Sequence, residues 1–470
     1  MVRKFRKIMS LALASVMVFS SMTMLAACKK SDSREVISED TPWYDALKIE
    51  LESPYAKDDV MEVMFQTPVL INDRLFVMLT GEKTFDVNAA MKDDDFDYNA
   101  YIINSICEYD LTGNFVKEYQ IDNEFGIDMV QITGISECDG KLKLSIIGAD
   151  VATQSSKNYI ALFDIDEGKV VDSYEVNVGE SDISQIESTI RVGENDVYVV
   201  FSIDDNNEFI YELAIEKDGE VVSTVNVNKE LGQDFWNVTD FVVVDDDTLA
   251  MSCMGDNGIV TASLSISTGK LTKSNDEIDF GNYYFTVSQD GKSYAVDCRG
   301  VYKVNEALSA ENVMSFSNAN LNASDAKDCT VTYCDDSKIV LFGMSMDSSI
   351  IPDCYIYILT KAESNPNAGK KILNVYSIEP TLSYSEAESV VAFNSENEEY
   401  FAVLSYASDE EMFGDGDGYE AITSISDQLM IDIMNGDGPD VILNSAAVLQ
   451  LNNSEYLLDL NEFIDGEDGL

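Results

Sequence analysis

One turn recurs six times between residues 42 and 360, and it limits the architecture more than any other feature of the chain. It reads Asn72-Asp73-Arg74-Leu75-Phe76, Asp139-Gly140-Lys141-Leu142, Glu194-Asn195-Asp196-Val197-Tyr198, Asp246-Asp247-Thr248-Leu249, Asp290-Gly291-Lys292-Ser293-Tyr294 and Asp336-Ser337-Lys338-Ile339-Val340. Each copy follows one apolar alternating stretch and opens another, which is the pattern of a β-hairpin. A second turn follows in most copies, as Tyr109-Asp110-Leu111-Thr112-Gly113, Phe163-Asp164-Ile165-Asp166-Glu167-Gly168, Ile215-Glu216-Lys217-Asp218-Gly219 and Ile266-Ser267-Thr268-Gly269. After it comes an outer strand, such as Val170–Val178 or Val221–Val227. Two hairpins make four strands, and four-stranded units repeating every ~45–55 residues are the sequence form of a β-propeller.

A mainly β fold with a six-bladed propeller over residues 42–362 is therefore expected, with seven blades as the alternative count. A pair of β-sandwiches would space its strands similarly. The first unit is longer because Gly81–Ala100 falls between its second and third strands. The sixth runs out after Tyr355–Thr360, before its outer strand. Ala46–Leu51 alternates like the outer strands elsewhere, so pairing it with the last unit closes the ring and removes an open sheet edge.

Ahead of the repeats, Arg3, Lys4, Arg6 and Lys7 precede an apolar run from Ile8 to Ala27, the composition of an export signal over residues 1–27. Its end, Leu25-Ala26-Ala27-Cys28, resembles a bacterial lipobox. That resemblance implies cleavage before Cys28, a diacylglycerol on its sulfur, and a chain held by lipid on the extracellular face of the cell membrane. Residues 28–41 are polar and charged and read as a flexible tether. No other stretch is apolar enough to span a bilayer.

Composition narrows the partners. Lys and Arg total 30 against 86 Asp and Glu, a net charge of −56, so a partner held through phosphates is excluded and nucleic acid with it. The chain has no histidine, which removes the usual general base and the commonest zinc ligand. Two carboxylates can suffice for glycoside hydrolysis, but no pair stands out among so many, and an enzyme is not expected. The seven cysteines after Cys28 (Cys107, Cys138, Cys253, Cys298, Cys329, Cys334 and Cys354) show no metal-type pair and no disulfide framework, and read as small buried hydrophobes. Asp415-Gly416-Asp417-Gly418-Tyr419-Glu420 alternates acidic oxygens and leaves Ca²⁺ open as a ligand, although it lacks the full EF-hand pattern. Asp93-Asp94-Asp95 and Asp245-Asp246-Asp247 read as acidic loops. No other cofactor is expected.

After a linker over residues 363–370, which holds Ser364-Asn365-Pro366-Asn367, the period changes. Ile372–Ile378 is a continuous apolar strand, Ser385–Asn394 is helical, and Phe401–Tyr406 is a second strand. Ile422, Ile425, Leu429 and Ile433 repeat at helical spacing and stop at Asn435-Gly436; Asp440–Leu443 is a third, buried strand. The order β-α-β-α-β with apolar strands implies a parallel sheet between helices.

Ala392-Phe393-Asn394, then Gly436, Pro439 and Asp440, then Leu458-Asp459-Leu460, taken in that order, resemble the opening third of a bacterial extracellular solute-binding protein that feeds an ABC importer. The resemblance covers residues 371–470. It implies an incomplete α/β domain of the periplasmic-binding-protein kind, an ABC permease as partner, and a sugar, oligosaccharide or other small polar solute as ligand. It also implies ligand contacts from the loops after the first and third strands, here Glu379, Thr381, Asn444 and Ser445. Such proteins clamp the ligand between two lobes, and this sequence supplies neither the second lobe nor the returning segments of the first, so a fragment of a longer reading frame is expected. The alternative is a surface propeller that binds protein or glycan and carries a vestigial tail.

Overall fold

The computed structural model describes residues 34–87, 96–121, 125, 129–150, 153, 155–179, 184–203, 208–232, 234–274, 284–304, 309–345, 350–379, 381–407, 418–444, 449–451, 454 and 456–458. The chain divides into Met1–Val36 and Ile37–Leu470. The strands and helices among the described residues, from Tyr44 onward, belong to the second unit. Cys28 lies outside the described residues.

The second unit is built on a six-bladed β-propeller. All six recurring turns join the first two strands of a blade. At Asn72-Asp73 and Asp139-Gly140 both turn residues have positive φ (50° and 59°, then 49° and 76°), the geometry of a type I′ turn. That twist matches the flanking strands and explains why Asn, Asp and Gly occupy these positions. The first blade departs from the pattern. Its inner strand is split into Val60–Phe65 and Val69–Ile71, both paired with Arg74–Lys83. Pro68, which has no N–H to give a ladder, lies in the break. Arg74–Lys83 extends two residues past Gly81, so the insertion begins later than the sequence suggests.

The ring closes as expected. Tyr44–Glu50 pairs antiparallel with Asp353–Lys361 from Tyr44 opposite Lys361 to Glu50 opposite Tyr355, and supplies the fourth strand of the sixth blade. Neighbouring blades are stitched by a repeated amide. Asn104 of the first blade donates to the Val130 carbonyl and accepts from Ile132 N–H (3.0 and 3.1 Å). Asn158 of the second does the same to Ser184 and Ile186 (3.1 and 3.0 Å). Each amide satisfies both backbone groups of the next inner strand, which would otherwise be buried without partners.

The contact between the second and third blades also holds a buried charge cluster. The Lys143 ammonium bonds the carboxylates of Asp196 and Glu216, the latter at 2.9 Å, and the Tyr198 hydroxyl donates to Glu216 at 2.9 Å. Burial pushes the Glu216 carboxyl up, and Lys143, the Gly219 N–H and Tyr198 more than reverse this, leaving it below its ordinary value. The cysteines behave as small hydrophobes. Five are buried and two partly so, all are free thiols, and burial pushes those of Cys107, Cys253, Cys329 and Cys354 up to about 12.

The end of the expected tether and the linker are bonded to each other. Ile37 N–H donates to the Lys370 carbonyl (3.0 Å), Gly369 N–H to Ile37 (2.9 Å), Asn365 N–H to Glu39 (3.2 Å) and Ala362 N–H to Trp43 (2.9 Å). The end of the expected flexible tether, Ile37–Thr41, therefore runs along the linker, in which Asn365 and Asn367 are buried.

Beyond the linker, Lys371–Ser377, Tyr400–Tyr406 and Val441–Leu443 form a parallel sheet with Lys371–Ser377 in the middle. Two helices, Tyr384–Glu396 and Gly418–Asn435, accompany it. Ile425 and Leu429 pack with Ile378, Ala407 and Leu451 into one apolar cluster. Leu382, Ala387 and Tyr406 belong instead to the core of the fifth and sixth blades, beside Phe316, Leu321 and Ala326. Contrary to the sequence expectation, the third strand is an edge rather than a buried strand. Val441 is 42% exposed, because no described strand lies beyond it.

Candidate functional site

The middle strand of the parallel sheet comes first in the chain, with the second strand on one side and the third on the other. The winding reverses at this strand. In open α/β sheets such a reversal leaves a crevice outside the carboxyl ends of the two flanking strands. Ser377 pairs with Tyr406 on one side and Leu443 on the other, and Ile378 N–H donates to the Leu443 carbonyl at 3.5 Å. Glu379 and Asn444 therefore each stand one residue beyond the last shared rung. Thr381 follows on the same loop as Glu379.

Three of the four ligand-contact residues expected from sequence are thus brought to one sheet edge, and Ser445 lies outside the described residues. Glu379 and Thr381 are exposed. Ser377 Oγ donates to the Glu379 carbonyl at 2.8 Å and turns the loop back on the strand. Asn444 has φ 56°, a left-handed conformation that asparagine tolerates better than most residues. Its Nδ2 is buried and, among the described residues, has no hydrogen-bond partner. Buried amide donors are nearly always bonded, and residues 445–448, next to it in the chain, lie outside the described residues.

The elements holding this edge are explained by their sequence. Ser383 caps the helix Tyr384–Glu396 in a reciprocal box with Glu386, whose carboxyl the Ser383 hydroxyl and N–H hold below its ordinary value. Asn394 is buried and works as a clamp. Its Nδ2 donates to the Ala402 carbonyl (3.0 Å) and its Oδ1 accepts from Ala402 N–H (2.6 Å), fixing helix to strand. Nδ2 also donates to Asn320 Oδ1 of the propeller at 3.0 Å. Asn322 Nδ2 donates to the Tyr384 carbonyl (3.1 Å) and Glu388 Oε2 (3.0 Å), so the propeller grips the start of the same helix. At the other side, Gly436 (φ 83°) ends the long helix, and Asp437 N–H donates back to Asp432 at 2.8 Å. Asp440 then ties the third strand to the first, its Oδ2 accepting from Asn374 N–H at 2.9 Å.

The acidic runs carry less. Asp245-Asp246-Asp247 is a hairpin turn in which Asp245 accepts from Asp247 N–H and Asp247 from Ser265 and Ser267. Asp93–Asp95 and Asp415–Asp417 lie outside the described residues. Among those described, no group of three or more Asp, Glu, Cys or His is placed to hold a metal ion. No helix among them is long and apolar enough to cross a membrane.

Sequence reasoning missed a cleft of about 480 Å³ reaching across the second, third and fourth blades, with Glu212, Lys229 and Lys270 in its lining. No motif marks it, because its residues come from four separate stretches of chain.

No family model and no curated protein matches the chain. Among solved structures, it is similar to a protein of unknown function from Dyadobacter fermentans DSM 18053 at 10% identity and a TM-score of 0.42, over 67% of this chain and 98% of that one. A puromycin-hydrolyzing peptidase of Mycobacterium tuberculosis is similar at 11% identity and 0.35, over 87% and 76%. A family 117 glycoside hydrolase from Zobellia galactanivorans is similar at 9% and 0.34, over 67% and 90%. Likeness at this level does not extend to activity.

Proposed function

We propose that this is a lipid-anchored extracellular solute-binding protein of an ABC importer. In this reading the edge carrying Glu379, Thr381 and Asn444 contributes the first wall of the solute site, and the propeller is the base on which that wall is built. The observation that carries it is the convergence of these residues on the reversal point of the parallel sheet, with the buried Asn444 amide unsatisfied among the described residues. A carboxylate, a hydroxyl and an amide on the two loops of this edge suit a ligand dense in hydroxyls, so a sugar or oligosaccharide is the solute class favoured. Anchoring at Cys28 predicts that the full chain incorporates labelled palmitate in its native host and that Cys28→Ala abolishes the label.

Isothermal titration of the full chain with a panel of mono- and oligosaccharides tests the solute site. At least one should bind, and Asn444→Ala and Glu379→Gln should each weaken it by about tenfold, the loss of one well-placed hydrogen bond. Absence of binding across the panel, or binding untouched by both substitutions, would contradict it. The second reading, a surface module whose propeller does the binding, is favoured by the closure of the ring by the chain's own Tyr44–Glu50. It predicts that glycan or protein binding survives both substitutions.

A further inference from the structure

Glu212 lies on the third strand of the third blade, Phe209–Lys217, opposite Val200 on one side and Asn226 on the other. Alternation puts it on the same strand face as Ala214, which packs with Ile160, Val178 and Tyr198. Glu212 is only 2% exposed, and its side chain contributes to the lining of the cleft. Lys229 and Lys270 are exposed at the rim, and among the described residues neither forms an ion pair, although the chain has 86 acidic residues and 30 basic ones. Their backbones are well held. Lys229 N–H is capped by Asn226 Oδ1 at 2.9 Å, and Lys270 pairs with Ser265 across the blade hairpin.

The lining decides the ligand class. Glu230 adds a second carboxyl beside the two lysines, so the cleft carries charges of both signs and favours neither a simple anion nor a simple cation. Among the described residues no aromatic side chain lines it, so they offer no flat apolar surface on which sugar rings stack. Its volume of about 480 Å³ falls within the usual range for small-molecule sites. We infer that the cleft binds a small zwitterion of the amino-acid or short-peptide class, with its ammonium toward Glu212 and its carboxylate toward Lys229 and Lys270. This site is separate from the parallel-sheet edge and does not depend on the reading given for it.

The test is saturation-transfer NMR and isothermal titration of the full chain with the free amino acids and with di- and tripeptides of glycine, alanine and serine. At least one should bind, and N-acetylation or C-terminal amidation of that ligand should abolish binding. Glu212→Gln, Lys229→Met and Lys270→Met should each weaken it about tenfold or more, as expected for losing one charge-assisted hydrogen bond. The two lysines are exposed, so their variants should melt with the parent and remain informative if Glu212→Gln does not fold. Asn444→Ala should leave the affinity unchanged. No binding by any of these ligands, equal binding of the blocked forms, or affinity unchanged in both lysine variants would overturn the proposal.

Discussion

In the sixth blade the edge strand is Tyr44–Glu50, brought from the opposite end of the described chain and paired along its whole length. In the adjoining parallel sheet the edge strand is Val441–Leu443, three residues long, with Val441 42% exposed. The propeller leaves no ladder open at its closure, whereas the parallel sheet leaves one side uncovered among the described residues. A sheet with a winding reversal and an open side leaves its last strand without an outer neighbour among the described residues. The two regions are also unequal in independence, because Leu382, Ala387 and Tyr406 of the parallel-sheet region are buried in the core of the fifth and sixth blades.

Removing Tyr44–Glu50 should abolish this contrast most severely, by opening the closed sheet. The truncated chain should lose its cooperative melt altogether and elute as aggregate in size-exclusion chromatography, since the open edge of Asp353–Lys361 becomes a template for other chains. A sharp melt near that of the parent would mean the ring does not depend on its closing strand. Next in size is Lys143→Met, which removes the cation shared by the buried Asp196 and Glu216 carboxylates and leaves Asp196 with the Arg191 guanidinium at 3.2 Å. We expect a loss of about 3–5 kcal/mol in denaturant unfolding, the usual cost of breaking one side of a buried ion pair.

Asn394→Ala tests the parallel-sheet region and its bond to Asn320 of the propeller. It removes a clamp that makes three hydrogen bonds and leaves the Ala402 backbone groups unpaired, a cost of about 2–3 kcal/mol. Hydrogen exchange should quicken at residues 384–406 and stay unchanged in the second and third blades. Uniform acceleration would show that the parallel-sheet region and the propeller are not separable in this way.

The smallest effect concerns acid. Arg74 bonds Glu108 at 2.8 and 2.9 Å, and this pair, with the Tyr119 hydroxyl, holds the Glu108 carboxyl below its ordinary value despite opposing burial. A carboxyl lowered on folding adds stability that is fully present above its unfolded value of about 4.3 and is lost as pH falls through the folded value. Glu108→Gln should therefore cost about 1–2 kcal/mol at pH 7, progressively less below pH ~4.3, and flatten the acid limb of a pH–stability curve. An unchanged acid limb would mean that Glu108 has no part in it.

Much of the propeller was legible because its signals are local. Turn residues such as Asp139-Gly140 and Asn72-Asp73 have few conformations open to them, and the alternation of Ala46–Leu51 revealed the strand that closes the ring. The split inner strand at Pro68 was readable in principle, since proline weakens any strand assignment. The anchoring of Ile37–Thr41 along the linker was not, because backbone-to-backbone bonds leave no mark on residue type. Glu379, Thr381 and Asn444 could be placed at one edge from the order of strands and helices. That the Asn444 amide is buried on a left-handed backbone depends on tertiary packing, and so does the assembly of Glu212, Lys229 and Lys270 from distant segments.

If the reversal point of the parallel sheet, and not the propeller, holds the proposed solute, the solute should protect that edge alone. Hydrogen–deuterium exchange on the full chain, with and without the tightest-binding saccharide of the panel, tests this directly. Slower exchange at the amides of Ile378, Glu379, Thr381 and Asn444, with the six blades unchanged, is the predicted result. Protection confined to the blades, or absent from both loops, would contradict it.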